Sequence, residues 1–209
     1  MLASMDATDQ LAAAQFVRSP ELMSATDTGL IVVDVQQKLI SLIDGRARIV
    51  WNIRRLIDGA KLLGLPVLAS EQYPQGLGPT SPELASRLEH VFEKTAFSCG
   101  GCDELCKRLG SQERRKWLVC GIEAHVCIQQ TVIDLLGEGF RIYVAVDAVG
   151  SRYRIDHDIA LRRLERAGAV LTTSEMCVFE WIGGSGHPQF KAVSKLIQER
   201  MQWMGERPA

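Results

Sequence analysis

Leu30-Ile31-Val32-Val33-Asp34 is an unbroken apolar run that stops at a carboxylate. Apolar residues without alternation suit a parallel strand buried on both faces, which puts Asp34 at the strand's carboxyl end. Downstream, Ile49, Ile53, Leu56, Ile57, Ala60 and Leu63 recur at one-face helical spacing. A strand over Val67 to Ser70, a short helix over Ser81 to Glu89 and a strand over Val91 to Glu93, closed by Lys94, follow. The second half repeats the alternation: helix Asp103 to Leu109, strand Trp117 to Cys120, a helix with Ile128, Val132, Leu135 and Leu136 on one face, strand Ile142 to Val146, helix Asp156 to Arg166, strand Ala169 to Leu171. Six strands alternating with helices predict an α/β fold with right-handed crossovers. The expected form is a three-layer, doubly wound, six-stranded, mostly parallel sheet with helices on both faces.

The chain has 209 residues and a mass of 23.1 kDa, enough for one α/β domain with a full core and too little for a second of useful size. Residues 1–28 are polar and rich in Ala, Ser and Thr, and read as an N-terminal extension with one short helix around Asp9 to Phe16; residues 29–209 form the single domain. The formal net charge is −1, with no basic block. Neither nucleic acid nor a membrane surface is therefore expected as a partner, which leaves a small molecule. No apolar run reaches transmembrane length and Met1 to Thr28 does not resemble a secretory signal, so a cytoplasmic protein is expected.

Six cysteines in so ordinary a composition predict thiols, not a disulfide scaffold. Cys120 and Cys177 lie in apolar stretches and read as core. Cys99-Gly-Gly-Cys102, with Cys106 and His90 nearby, can be a redox pair or part of a zinc site, or more simply a turn before the helix that follows. A second CxxC and paired histidines are absent, so no metal or other cofactor is expected. Thr172-x-x-Glu175 fits a capping box, which explains Glu175 without catalysis. Gly183-Gly184-Ser185-Gly186 follows a helix and lacks the lysine and hydroxyl of a phosphate loop, and so reads as a connector.

Cys127 carries the chemistry. It follows the strand Trp117 to Cys120 through Gly121-Ile122-Glu123-Ala124-His125-Val126 and opens a helical pattern. The free N–H groups of a helix start favour thiolate over thiol, although free cysteine is also commonly a small buried hydrophobe. In the strand order 3-2-1-4-5-6, ligands sit outside the carboxyl ends of strands one and four, where the order reverses. Asp34 ends strand one and Cys127 follows strand four. Lys94 ends strand three, two strand spacings or about 10 Å from strand one, so its stem and a curved loop must cover that gap.

Five pieces in order resemble the isochorismatase-like cysteine hydrolase family, particularly its branch of unassigned substrate. They are Leu30 to Gln36, Glu71-Gln72-Tyr73-Pro74, Glu93-Lys94-Thr95-Ala96-Phe97-Ser98, Gly121 to Cys127, and Asp147-Ala148-Val149-Gly150-Ser151-Arg152. The resemblance runs from about Thr28 to Ile182 and implies an Asp34-Lys94-Cys127 triad. It also implies a non-proline cis peptide between Ile122 and Glu123, and an oxyanion hole from the N–H groups of Glu123 and Cys127. The implied chemistry is attack of the Cys127 sulfur on an amide-like carbonyl, with Asp34 taking the proton and Lys94 balancing charge. Family members that bind metal carry an aspartate and histidines after the second strand, where this chain has Glu71, Gln72 and Tyr73. Members that cleave the ether bond of isochorismate lack the cysteine. Gln36, Tyr73, Phe97, His125 and Trp181 are the expected substrate-binding residues, with His125 equally explained by local hydrogen bonds. The family's habit of assembly implies a homo-oligomer. A catalytically silent oligomeric scaffold that keeps the fold is the alternative.

Overall fold

A computed structural model describes residues 17–199. Strand β1 (Thr28–Val33) is buried at every position and pairs in parallel with β2 (Val67–Gln72) on one side and β4 (Lys116–Ile122) on the other. The connections place α1 (Gln37–Ile40) and α2 (Arg46–Leu62) before β2, then α3 (Pro74–Leu77) and α4 (Pro82–Ala85) before β3 (Val91–Lys94). A single 3-10 turn at Cys99–Gly101 and α5 (Asp103–Gly110) lead into β4. A π-helical turn, Ala124–Ile128, runs into α6 (Gln129–Gly137), followed by β5 (Arg141–Gly150), α7 (Arg154–Arg166), β6 (Val170–Thr172), α8 (Ser174–Ile182) and α9 (Phe190–Gln198). The sheet order is β3-β2-β1-β4-β5-β6 and each neighbouring pair is parallel, so the expected order holds and the sheet is parallel throughout.

Alternation along β1 builds a core on each face. Leu30 and Val32 pack with Cys120, Ile53, Leu56, Val178 and Trp181, under α2 and α8. Ile31 and Val33 face the other way, against Leu105, Ile128, Val132 and Leu164 from α5, the π-helical turn, α6 and α7. Each large aliphatic side chain so buried contributes roughly 1.5–3 kcal/mol. Near the switch point the strands come too close for side chains: a Cβ on Gly121, whose φ is 125°, would lie 2.1 Å from the Val33 carbonyl oxygen. Glycine there lets β4 hold β1 to the last residue before Asp34.

Several local expectations change. The helix expected over Ser81 to Glu89 is only Pro82–Ala85, because Leu84 is the sole buried residue it offers. Strand β5 runs on to Gly150, past the expected end at Val146. The cap of α8 is Thr173, whose side chain accepts from the Met176 N–H; Thr172, the expected cap, instead accepts from the Cys177 thiol. Glu175 lies 3.8 Å from the Arg55 guanidinium. The helix expected around Asp9 to Phe16 lies outside the described residues, while Met23 is fully buried and anchors the segment before β1.

Candidate active site

Asp34 leaves β1 with a left-handed φ of 52° while its N–H still donates to the Ser70 carbonyl at 3.0 Å. Its carboxylate is fully buried. One oxygen, Oδ2, accepts from Lys94 Nζ at 2.7 Å, and Oδ1 accepts from Ser70 Oγ at 2.8 Å. The Lys94 ammonium, equally buried, also donates to Gln72 Oε1 at 2.8 Å, to the Phe97 carbonyl at 2.8 Å and to the Ala96 carbonyl at 3.2 Å. A buried ion pair is tolerated only where hydrogen bonds satisfy its remaining donors and acceptors. Here the residue 96–97 loop and β2 supply them, and so close the two-strand gap between Asp34 and Lys94.

Cys127 sits in the π-helical turn and is 4% exposed. The Glu123 carbonyl accepts from Val126 at 3.1 Å and from Ile128 at 3.2 Å, on either side of Cys127 in sequence. The N–H of Cys127 is not among its donors, which is the consequence of widening the turn. The Ile122–Glu123 peptide is cis, where the resemblance implies such a bond. Burial, and after it the negative charge of Asp34, push the Cys127 thiol well above its ordinary value, and the nearby Lys94 cation opposes them. Burial thus acts against the ionisation that a helix start favours. The thiol lies near enough to Asp34 and Lys94 to feel both charges.

Around this centre, Tyr73 and Phe97 are about half exposed, at 54% and 53%. His125 stands to one side, its Nδ1 3.0 Å from Ser151 Oγ and its Nε2 3.9 Å from the Asp156 carboxylate. The Glu123 carboxylate accepts from both the backbone N–H and Nε of Arg152, each at 3.0 Å.

Two expected substrate contacts are displaced. Gln36 is fully buried and its carboxamide is spent on backbone: it accepts from the Gln72 N–H at 2.8 Å and donates to the carbonyls of Gln72 at 3.0 Å and Gly78 at 2.7 Å. Trp181 is 2% exposed and lies in the core under α2 and α8, across the sheet from Cys127. Of the two aromatics in α8, Trp181 falls on the core-facing side and Phe179 on the exposed one.

The remaining thiols point apart. Cys99 donates toward Ser70 Oγ at 3.4 Å, Cys102 toward the Glu93 carbonyl at 3.6 Å, and Cys106 toward the carbonyls of Cys99 and Gly100 at 3.6 and 3.5 Å, while His90 is exposed. Burial, with Asp34 behind it, pushes Cys99 up to about 11. The Glu71 carboxylate is bound to the Thr80 N–H and hydroxyl at 2.5 and 2.6 Å. Where metal-binding members carry ligands, this chain therefore offers one engaged carboxylate and no histidine. Ser70 was missed by the motif reading, and Gln72, though within the Glu71-Gln72-Tyr73-Pro74 piece, was given no role. The available signal was the polar run Ser70-Glu71-Gln72 at the carboxyl end of β2, in which Ser70 and Gln72 share a face.

A family model for the isochorismatase domain matches residues 28–176, a span that holds Asp34, Lys94 and Cys127. The chain belongs to the isochorismatase family. Among isochorismatase relatives, it is 43% identical over 171 residues to isochorismatase domain-containing protein 2 of Macaca fascicularis, a match spanning 81% of this chain and 82% of that one. The solved MAR1 ribonuclease of Caenorhabditis elegans superposes with a TM-score of 0.82 at 41% identity, covering 90% of this chain and 98% of that one. The YcaC gene product of Escherichia coli, described as an octameric hydrolase of unknown specificity, gives a TM-score of 0.81 over 87% of this chain and 91% of its own. At 22% identity that is a likeness of fold. Together these place the chain among the isochorismatase-like hydrolases.

Proposed function

We propose that this protein is a metal-independent cysteine hydrolase that cleaves a small amide or related C–N bond through a thioester. The observation that carries this reading is the fully buried Asp34–Lys94 pair, 2.7 Å apart, beside a thiol that burial pushes above its ordinary value. Such a thiol needs a base at the moment of attack. Asp34 takes the Cys127 proton as sulfur bonds to the carbonyl carbon, and the resulting oxyanion is held by the N–H groups of Glu123 and Cys127, each donor worth about 3 kcal/mol. The proton passes from Asp34 to the departing nitrogen as the C–N bond breaks. Water, deprotonated by Asp34, then splits the thioester and restores the thiol.

Lys94 serves as a fixed positive charge. Its three protons face four oxygens, so none is left for the substrate. Tyr73 and Phe97 flank the entrance as aromatic contacts for a small molecule, with His125 beside them. The reducing cytoplasm, in which this reading places the protein, keeps its cysteines as thiols. The apolar side chains that Tyr153, Ile155 and Ile159 leave exposed suit self-association as a homo-oligomer.

The C. elegans relative is named a ribonuclease, which makes RNA the second substrate class to try. Tyr73 and Phe97 are exposed aromatics of the kind that stack bases, but a net charge of −1 offers no basic track for a phosphate backbone. The test is a panel of small amides and short single-stranded RNAs given to the wild type and to Cys127→Ala. Amide hydrolysis lost in Cys127→Ala supports the proposal. Cleavage of RNA alone, or amide hydrolysis indifferent to Cys127, sinks it, and no turnover of any kind favours a silent scaffold.

A further inference from the structure

We propose that Ser70 and Gln72, on a strand that supplies none of the three reactive groups, are positioning residues that hold Asp34 and Lys94 in register with Cys127. The proposal rests on the Asp34-Lys94-Cys127 reading above. Strand β2 lies between β1 and β3, with Ser70 paired to Val33 and Gln72 paired to Lys94. Residues two apart on a strand share a face, so Ser70 and Gln72 reach the same buried space, one toward the anion and the other toward the cation.

The hydrogen-bond directions are fixed by what each partner can do. A carboxylate only accepts, so Ser70 spends its one proton on Asp34 Oδ1 at 2.8 Å, and its lone pair accepts from the Cys99 thiol at 3.4 Å. Gln72 turns its carbonyl oxygen to Lys94 Nζ at 2.8 Å because its nitrogen is held by the Thr95 carbonyl at 2.7 Å. Turned the other way, an amide N–H would meet the ammonium. Both side chains are buried, at 2% and 7% exposure, and both are neutral. They therefore fix two opposite charges without adding a third, in a place where an unsatisfied polar atom is costly.

The chemical consequence is that Ser70 draws off part of the Asp34 charge that would otherwise grip the Cys127 proton, while Gln72 keeps the Lys94 cation close enough to oppose that grip. Loss of either should make the thiol harder to ionise. Loss of Asp34 itself should make it easier.

The experiment is the rate of iodoacetamide alkylation at Cys127 as a function of pH, read by mass spectrometry of the peptide that contains it, with thermal stability recorded for each variant. Ser70→Ala is expected to alkylate about tenfold more slowly than wild type at any fixed pH below the thiol's midpoint, the equivalent of one pH unit. Gln72→Met should shift the same way, Ser70→Thr should restore the wild-type rate by restoring the hydroxyl, and Asp34→Asn should alkylate faster. A purely structural role would let Ser70→Ala and Ser70→Thr behave alike. If both leave the profile at wild type while Asp34→Asn moves it, the positioning roles are overturned and the triad stands. If Asp34→Asn leaves the profile unmoved, the triad reading has failed, and the positioning roles with it.

Discussion

Two aspartates at or near the ends of parallel strands, Asp34 after β1 and Asp147 in β5, have opposite surroundings. Asp34 is fully buried and held by a lysine and a serine beside a thiol. Asp147 accepts from the N–H and hydroxyl of Ser174 at 2.8 and 2.6 Å, at the start of α8, and its own carbonyl accepts from Asn52 at 2.7 Å. The second carboxylate is thus tied to a helix N-terminus, where its charge suits the dipole and its oxygens satisfy free donors. The first has no helix to cap and a cation for a partner. A strand-end carboxylate becomes a base or a fastener according to what faces it.

The largest expected effect separates them by activity. Asp34→Asn should lower turnover of any amide substrate by roughly 10²–10⁴-fold, the usual worth of a positioned base, with the fold retained by circular dichroism. Asp147→Asn should leave turnover near wild type and lower stability by about 1 kcal/mol in urea titration. Equal loss of activity in both variants would break the distinction between base and fastener.

A second prediction uses pH. The thiols of Cys99, Cys120, Cys127 and Cys177 are all pushed up by burial, Cys99 to about 11. In the unfolded chain they lose protons from about pH 8.5. Their contribution to stability is therefore complete below about pH 8.5 and declines as pH rises toward the folded values. Thermal scans should show Tm falling through that alkaline window, and replacement of Cys120 by Ala should reduce the slope. The smallest expected effect is at the α8 cap: Thr173→Ala should cost about 1 kcal/mol and leave turnover unchanged, whereas Thr172→Ala should cost less.

The layer order was legible because apolar runs such as Leu30 to Val33 and one-face spacings such as Ile49, Ile53 and Ile57 report burial directly. Short elements were less so: α1 and α3, with four residues each, are too short to show a period, and α4 was expected but drawn too long. Asp34, Lys94 and Cys127 could be picked out by strand-end position and motif order, but the upward push on the Cys127 thiol could not, since burial and neighbouring charge are tertiary quantities. Gln36 and Trp181 misled for a related reason. A polar residue two positions past Asp34 and an aromatic late in the chain look like substrate contacts, until the fold spends one on backbone and the other in the core. Conversely, Ser70 lies in no motif and Gln72 lies in one that gives it no role, and their meaning appears only when β2 is seen between the two charges.

The most direct test of Cys127 as nucleophile is to quench the wild-type enzyme with acid during turnover of an amide substrate and to weigh the peptide carrying that residue. An acyl adduct on Cys127, absent from the other cysteine peptides and from the Cys127→Ala protein, is the predicted result. Sustained turnover with no adduct on Cys127, and undiminished in Cys127→Ala, would contradict the account.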